Sequence, residues 1–188
     1  MSTALIVVDV QVDFCEGGAL GVKGGNAVAE AVAALLSGDH GYDRVVATRD
    51  HHIDPGPHFS DDPDYVDSWP PHCVVGTPGQ ALHPALSSVA FDAVFDKGSY
   101  EAAYSGFEGT IGGHSDGDRL SAWLRLHDIT EVDVCGIATD YCVRATALVA
   151  AAEGFTTRVL AGLTAAVHPD NVAAVVAEFA ESGVSTAR

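Results

Sequence analysis

The 188-residue chain is short of positive charge: nine Lys and Arg stand against 26 Asp and Glu, a formal net charge of −17. Nucleic acid and anionic membrane surfaces are recognised through clustered Lys and Arg, so neither is expected as a partner. No apolar run reaches the length of a bilayer span. The chain opens Met1-Ser2-Thr3 and passes directly into Ala4-Leu5-Ile6-Val7-Val8-Asp9, with no basic leader or cleavage site, so no secretory signal is expected. Its four cysteines (Cys15, Cys73, Cys135 and Cys142) form no C-x-x-C pair, and a chain this long buries a core without staples. A soluble protein of the reducing cytoplasm is the expectation. Also missing are a G-x-G-x-x-G that joins a strand to a helix and a G-x-S-x-G elbow, the local signals for dinucleotide binding and serine hydrolysis. Neither an internal repeat nor a low-complexity segment is present.

What is present is an alternation of short apolar runs and amphipathic stretches. Strands are expected at residues 4–8, 44–48, 93–96, 132–137, 156–160 and, short and last, 184–186. Helices are expected at 26–36, 118–127, 143–153 and 169–181. This alternation predicts one α/β domain over residues 1–188, with a parallel sheet covered by helices on both faces. Residues 109–117 read as an exposed, expendable loop. The long stretch 51–90, rich in Pro, Asp and His and carrying Phe59, Tyr65 and Trp69, reads as an ordered functional loop.

Open parallel sheets bind ligands beyond the carboxyl ends of their strands, and Asp9, Asp50, Lys97 and Cys142 each fall at or just past such an end. Cys142 follows Thr139-Asp140, a helix-start signal. The first turn of that helix should favour thiolate over thiol and offer N–H groups of Ala138 and Cys142 to an oxyanion. Asp9 could take the thiol proton and return it to a leaving amine, with Lys97 supporting both charges. A second group is Asp50-His51-His52-Ile53-Asp54-Pro55-Gly56-Pro57-His58, with His72 beyond it. A carboxylate and several imidazoles suit zinc, iron or manganese, although spacing alone equally describes a polar loop with incidental histidines.

Taken together, these residues resemble the nicotinamidases (pyrazinamidases) of the isochorismatase-like cysteine hydrolase family. The likeness runs through Ile6 to Gly18, Asp50-x-His52-x-Asp54-Pro55-Gly56-x-His58 and Ser68-Trp69-Pro70-Pro71-His72-Cys73. It continues through Phe95-x-Lys97-Gly98, Tyr104 to Gly109 and Gly136-Ile137-Ala138-Thr139-Asp140-x-Cys142-Val143, covering nearly the whole chain. The resemblance implies a three-layer α/β/α fold with a six-stranded parallel sheet. It also implies a metal-dependent amidase that converts nicotinamide to nicotinate and ammonia through a thioester, in NAD salvage, with pyrazinamide as an analogue.

Carried over, the catalytic residues are Asp9, Lys97 and Cys142, and the oxyanion donors Ala138 and Cys142. The ligands of one divalent ion are Asp50, His52 and His58, with His72 as a further one. Phe14, Trp69, Tyr104 and Ile137 would contact substrate, and the Ile137–Ala138 peptide would be cis. Tyr141 departs from close relatives that carry His there. Alternatives are a cysteine hydrolase acting on another small amide or carbamoyl compound, a metallohydrolase in which Cys142 is incidental, and a non-catalytic metal-binding protein. Isochorismatase chemistry itself, cleavage of a vinyl ether, would leave the metal loop and the thiol without a use. Oligomeric state is not readable.

Overall fold

The computed structural model describes residues 2–187. Its centre is a single sheet of seven strands in the order β4-β3-β2-β1-β5-β6-β7. They are β1 (Thr3–Val8), β2 (Arg44–Asp50), β3 (Ala93–Lys97), β4 (Thr110–Ile111), β5 (Glu131–Ile137), β6 (Thr156–Ala165) and β7 (Ser185–Ala187). All neighbours are parallel except β4, which runs antiparallel to β3. Four α-helices complete the layers: α1 (Gly25–Leu36), α2 (Leu120–Leu126), α3 (Cys142–Ala152) and α4 (Val172–Glu181). Among the described residues no helix is long and apolar enough to cross a membrane.

The alternation of β1 explains the layering. Ala4, Ile6 and Val8 enter one core with Leu120 and Leu124 of α2, Val143 and Ala147 of α3, and Phe179 of α4. Leu5 and Val7 enter the other, with Val28, Ala29 and Val32 of α1. A strand covered on both faces has no polar side to show, which is why it reads as an unbroken apolar run. Residues 4–8 have no exposed surface, and each large aliphatic among them contributes about 1.5–3 kcal/mol of burial.

The expected six parallel strands are one too few. Thr110–Ile111 lies inside the stretch read as a loose loop, and it pairs with Asp96 and Phe95. Thr110 is buried, and its hydroxyl donates to the His114 carbonyl at 2.8 Å, so the stretch is folded back on itself. Two residues are too few to carry a period, and the sequence therefore hides this strand. β6 also runs further than expected, to Ala165, past a register shift opposite β5.

Chain order reverses between β1 and β5, and there a crevice opens at the carboxyl ends of the strands. The backbones come very close at this point. A Cβ on Gly136 (φ +116°) would meet the Val8 carbonyl oxygen at 2.0 Å, so only glycine fits.

Candidate active site

Each strand around the crevice delivers one charged or nucleophilic side chain. Asp9 follows β1 with φ +48°, Asp50 ends β2 and Lys97 ends β3. After β5 the Ile137–Ala138 peptide is cis, and Cys142 is the first residue of α3. Thr139 and Asp140 do not cap that helix as expected. The Thr139 hydroxyl donates to the Thr164 hydroxyl, while the Asp140 carboxylate accepts from the Val167 and His168 amides at 2.9 and 2.8 Å. They tie the chain after β6 to the turn that carries the thiol. Among the described residues the Ala138 and Cys142 amides, the expected oxyanion donors, give no hydrogen bond to another backbone carbonyl.

Lys97 is the hub. Its Nζ lies 2.9 Å from Asp9 Oδ2 and 3.7 Å from Cys142 Sγ, donates to the Ala103 carbonyl at 3.0 Å, and pairs with Asp50 Oδ1. All four charged or thiol groups are buried. Asp9 Oδ1 accepts from the Thr48 hydroxyl at 2.6 Å, whereas Oδ2 accepts no aligned hydrogen bond despite its ion pair. Sequence reasoning missed Thr48, which the strand period places on the same face as Asp50. It also missed Gln11, whose amide clamps the Asp50 backbone through Nε2 to O at 2.9 Å and N to Oε1 at 2.8 Å. Nothing in the sequence marks Gln11, since its role depends on two strands meeting.

Burial raises the Asp9 carboxyl above its ordinary range, with Lys97 opposing. For Lys97, burial works against the charge, but Asp50 and Asp9 outweigh it and hold the ammonium well above its usual pKa. Burial at Asp50 is likewise overcome by Lys97, His52 and His72, which keep it ionised. Cys142 departs from expectation. Burial, reinforced by the Asp9 and Asp50 carboxylates, raises its thiol well above the ordinary value, and Lys97 only partly offsets this.

The expected metal donors also converge. Nitrogens of His52, His58 and His72 all lie within 4.8 Å of one another. Asp50 Oδ2 is 3.5 Å from His52 Nε2 and 3.7 Å from His72 Nε2. His52 Nδ1 is bonded to the Gly98 carbonyl at 2.6 Å and His72 Nδ1 to the Pro70 carbonyl at 2.8 Å, contacts that turn each Nε2 lone pair inward. His52 Nε2 and His58 Nδ1 are buried without a hydrogen-bond partner. Burial and the two neighbouring rings push the His58 imidazole down to about 4, which keeps it neutral. A carboxylate, three clustered imidazoles and two unpartnered nitrogens fit a divalent metal ion.

Cys142 and Asp50 open into a cavity of about 430 Å³, mouth included. The expected contacts Phe14, Trp69, Tyr104 and Ile137 all line it, as do His58, His72 and Ala138. The Trp69 indole donates to the Tyr104 hydroxyl at 3.2 Å and fixes both rings. Leu20, Val22, Ala103, Tyr141 and Val167 complete the wall without having been singled out as contacts.

Comparison with known proteins gives this geometry a context. The chain is 55% identical over 181 residues to the nicotinamidase/pyrazinamidase of Mycobacterium tuberculosis, covering 96% of each. The crystal structure of PnC1 from L. infantum in complex with nicotinate superposes with a TM-score of 0.86 at 35% identity, over 100% of this chain and 92% of that one. The pyrazinamidase of Pyrococcus horikoshii in complex with zinc gives 0.81 at 32% identity, over 100% and 99%. Residues 3–188 match the isochorismatase domain model. By sequence and by fold, the chain belongs to the isochorismatase domain family.

Proposed function

We infer that the protein hydrolyses nicotinamide to nicotinate and ammonia, the salvage step that returns nicotinamide toward NAD, and pyrazinamide to pyrazinoate by the same route. One observation carries this reading: Lys97 joins Asp9, Asp50 and Cys142 behind a pocket that is also lined by histidines of the cluster and by aromatic rings. The names of the relatives, and the nicotinate in the L. infantum structure, support the same substrate class.

Asp9 takes the Cys142 proton as sulfur bonds to the amide carbon. The carbonyl π pair moves onto oxygen, where the Ala138 and Cys142 N–H groups donate. Asp9 passes its proton to nitrogen, the C–N bond breaks, and ammonia leaves a thioester on Cys142. Asp9 then deprotonates a water that adds to the thioester carbon. The C–S bond breaks and the proton returns to sulfur. One amide and one water thus yield one acid and one ammonia. Lys97 opposes the burial that would neutralise the Asp9 carboxylate and stabilises the thiolate as it forms. A zinc, iron or manganese ion held by Asp50, His52, His58 and His72 would supply a Lewis-acid anchor for the pyridine nitrogen and a bound water. Four unpaired cysteines suit the reducing cytoplasm as its location.

Ammonia release from nicotinamide, measured for wild type and Cys142→Ala before and after chelation and metal return, tests this. Loss in Cys142→Ala together with a fall on chelation is expected. Full activity in Cys142→Ala would remove the thiol from the reaction. A silent wild type under every metal would sink nicotinamide as substrate and turn the search to other small amides or carbamoyl compounds.

A further inference from the structure

Tyr141 precedes the nucleophile and opens α3 with an unusual backbone, φ −124° and ψ −98°. It borders two cavities. On the inner side it lines the reaction pocket with Cys142 and Trp69. On the outer side it lines a surface groove with Val66, Asp67, Arg144 and Ala145. Among the described residues, Tyr104 and Tyr141 alone line both.

This ring is braced. It meets Trp69 edge-on at 5.1 Å and 86°, and lies 5.9 Å from Tyr104 at 32°. Its hydroxyl faces the Tyr65 carbonyl at 3.5 Å, and the Tyr65 ring in turn meets Trp69 edge-on at 6.2 Å. Tyr65 belongs to a tight turn that Asp64 Oδ1 holds by accepting three backbone N–H groups, from Val66, Asp67 and Ser68, each at 2.9 Å. Two ionic groups bordering the groove are engaged elsewhere, Arg144 with Glu178 and Asp140 with the Val167 and His168 amides, while the exposed Asp67 also borders it. Beyond the ring, Val66, Tyr104 and Ala145 give the groove apolar wall beside these polar groups.

We propose that the Tyr141 ring is a specificity-determining partition, which closes the reaction pocket to aza-aromatic amides bearing a substituent beyond the bare ring. Without it the pocket and the outer groove become one space, able to take a flat uncharged extension. The substrate chemistry rests on the amidase reading above; the partition itself rests on the two cavities.

The experiment compares wild type, Tyr141→Phe, Tyr141→Leu and Tyr141→Ala on nicotinamide and on nicotinamides carrying methyl or phenyl at ring carbon 5 or 6. The readout is acid product, and the quantity is the ratio of kcat/KM for substituted over bare substrate. Tyr141→Ala should raise this ratio about tenfold or more, the size of effect that a gained or lost apolar contact has on selectivity. Tyr141→Phe, which keeps the ring, should leave it unchanged. Tyr141→Leu carries the same test, with a smaller rise, if the alanine variant does not fold.

A second readout needs no turnover: alkylation of Cys142 by iodoacetamide against its N-phenyl analogue, followed by peptide mass spectrometry. The bulky-to-small rate ratio should rise in Tyr141→Ala and Tyr141→Leu but not in Tyr141→Phe. A wild type that releases no nicotinate defeats the amidase reading, and the alkylation ratio still decides the partition. Ratios equal to wild type in folded Tyr141→Ala or Tyr141→Leu overturn it. So does a Tyr141→Phe as permissive as Tyr141→Ala.

Discussion

Two buried aspartates of one sheet make opposite use of burial. Asp133, in β5 toward the amino ends of the strands, is saturated: Oδ1 accepts from Arg158 Nε at 2.8 Å, and Oδ2 accepts from Arg158 Nη2 and from the Tyr42 hydroxyl at 2.6 Å. Asp9, at the carboxyl end of the adjoining strand, has Thr48 on one oxygen and only a misaligned ion pair on the other. The contrast extends to the whole edge. Asp9 Oδ2, His52 Nε2 and His58 Nδ1 are the buried side-chain polar atoms without a hydrogen-bond partner among the described residues, and all three lie at the carboxyl end of the sheet. Folded proteins satisfy nearly all such atoms, so a concentration of exceptions marks where a proton, a ligand or an ion belongs.

The largest effects should come from breaking the unsaturated edge. Cys142→Ala is expected to lower kcat by at least about a thousandfold, since it removes the bond-forming atom. Asp9→Asn should cost about a hundred- to ten-thousandfold, the range for a lost general base. Combining the two should add little, because both act on one proton transfer; a multiplicative loss would show that they act separately. Lys97→Met strips the shared cation from Asp9 and Asp50. It should abolish turnover and also destabilise the fold by about 3–5 kcal/mol, as orphaned buried charges do. Thermal or denaturant unfolding reads the second effect.

Next in size is the histidine cluster. His52→Ala or His58→Ala should weaken metal retention and activity by about tenfold to a hundredfold, measured by metal content after dialysis and by ammonia release. Smaller again is the dependence on pH. Asp9 must be ionised to take the thiol proton, and burial raises its pKa above the ordinary value of 3.8. kcat/KM should therefore fall as pH drops through a point above that value. Lys97, held well above 10.5, should impose no loss through neutral and mildly alkaline pH. An acid limb at the pKa of an exposed carboxylate would show that Asp9 is not the desolvated base.

The edge to which the chemistry is assigned was the more legible one in the sequence. β1, β2, β3 and β5 are buried on both faces, so their apolar runs stand out, and the charged residues ending the first three mark the crevice. Asp9, Asp50 and Lys97 were visible for that reason, and Cys142 because a strand passed through a short turn into a helix. Other features depend on contacts between distant segments. Gln11 copies a strand partner for Asp50 across 39 residues, Asp140 serves a loop rather than its own helix, and β4 is too short for a pattern. The helix-start reading of Cys142 leaves out burial for a related reason. Position at a helix start is local and readable, whereas the burial that opposes it is set by the whole fold. Asp133 carried no signal, being one acid inside a strand.

That silent aspartate supplies the mildest test of the comparison. Asp133→Ala removes the acceptor for Arg158 and Tyr42. The Arg158 side chain is 51% exposed and can turn to water, while the Tyr42 hydroxyl loses its acceptor. The loss should be about 1–3 kcal/mol, the range for a buried charged hydrogen-bond acceptor, and it should show as a melting temperature lower by several degrees. Because every bond of Asp133 stays within the amino-end cluster, kcat and KM for nicotinamide should match wild type at temperatures where the variant is folded. Asp133→Asn, which keeps an acceptor oxygen, should lose less. A fall in kcat without a fall in stability would mean that saturation does not separate scaffold from site, since a fully partnered carboxylate at the far edge would then be setting the chemistry at the near one.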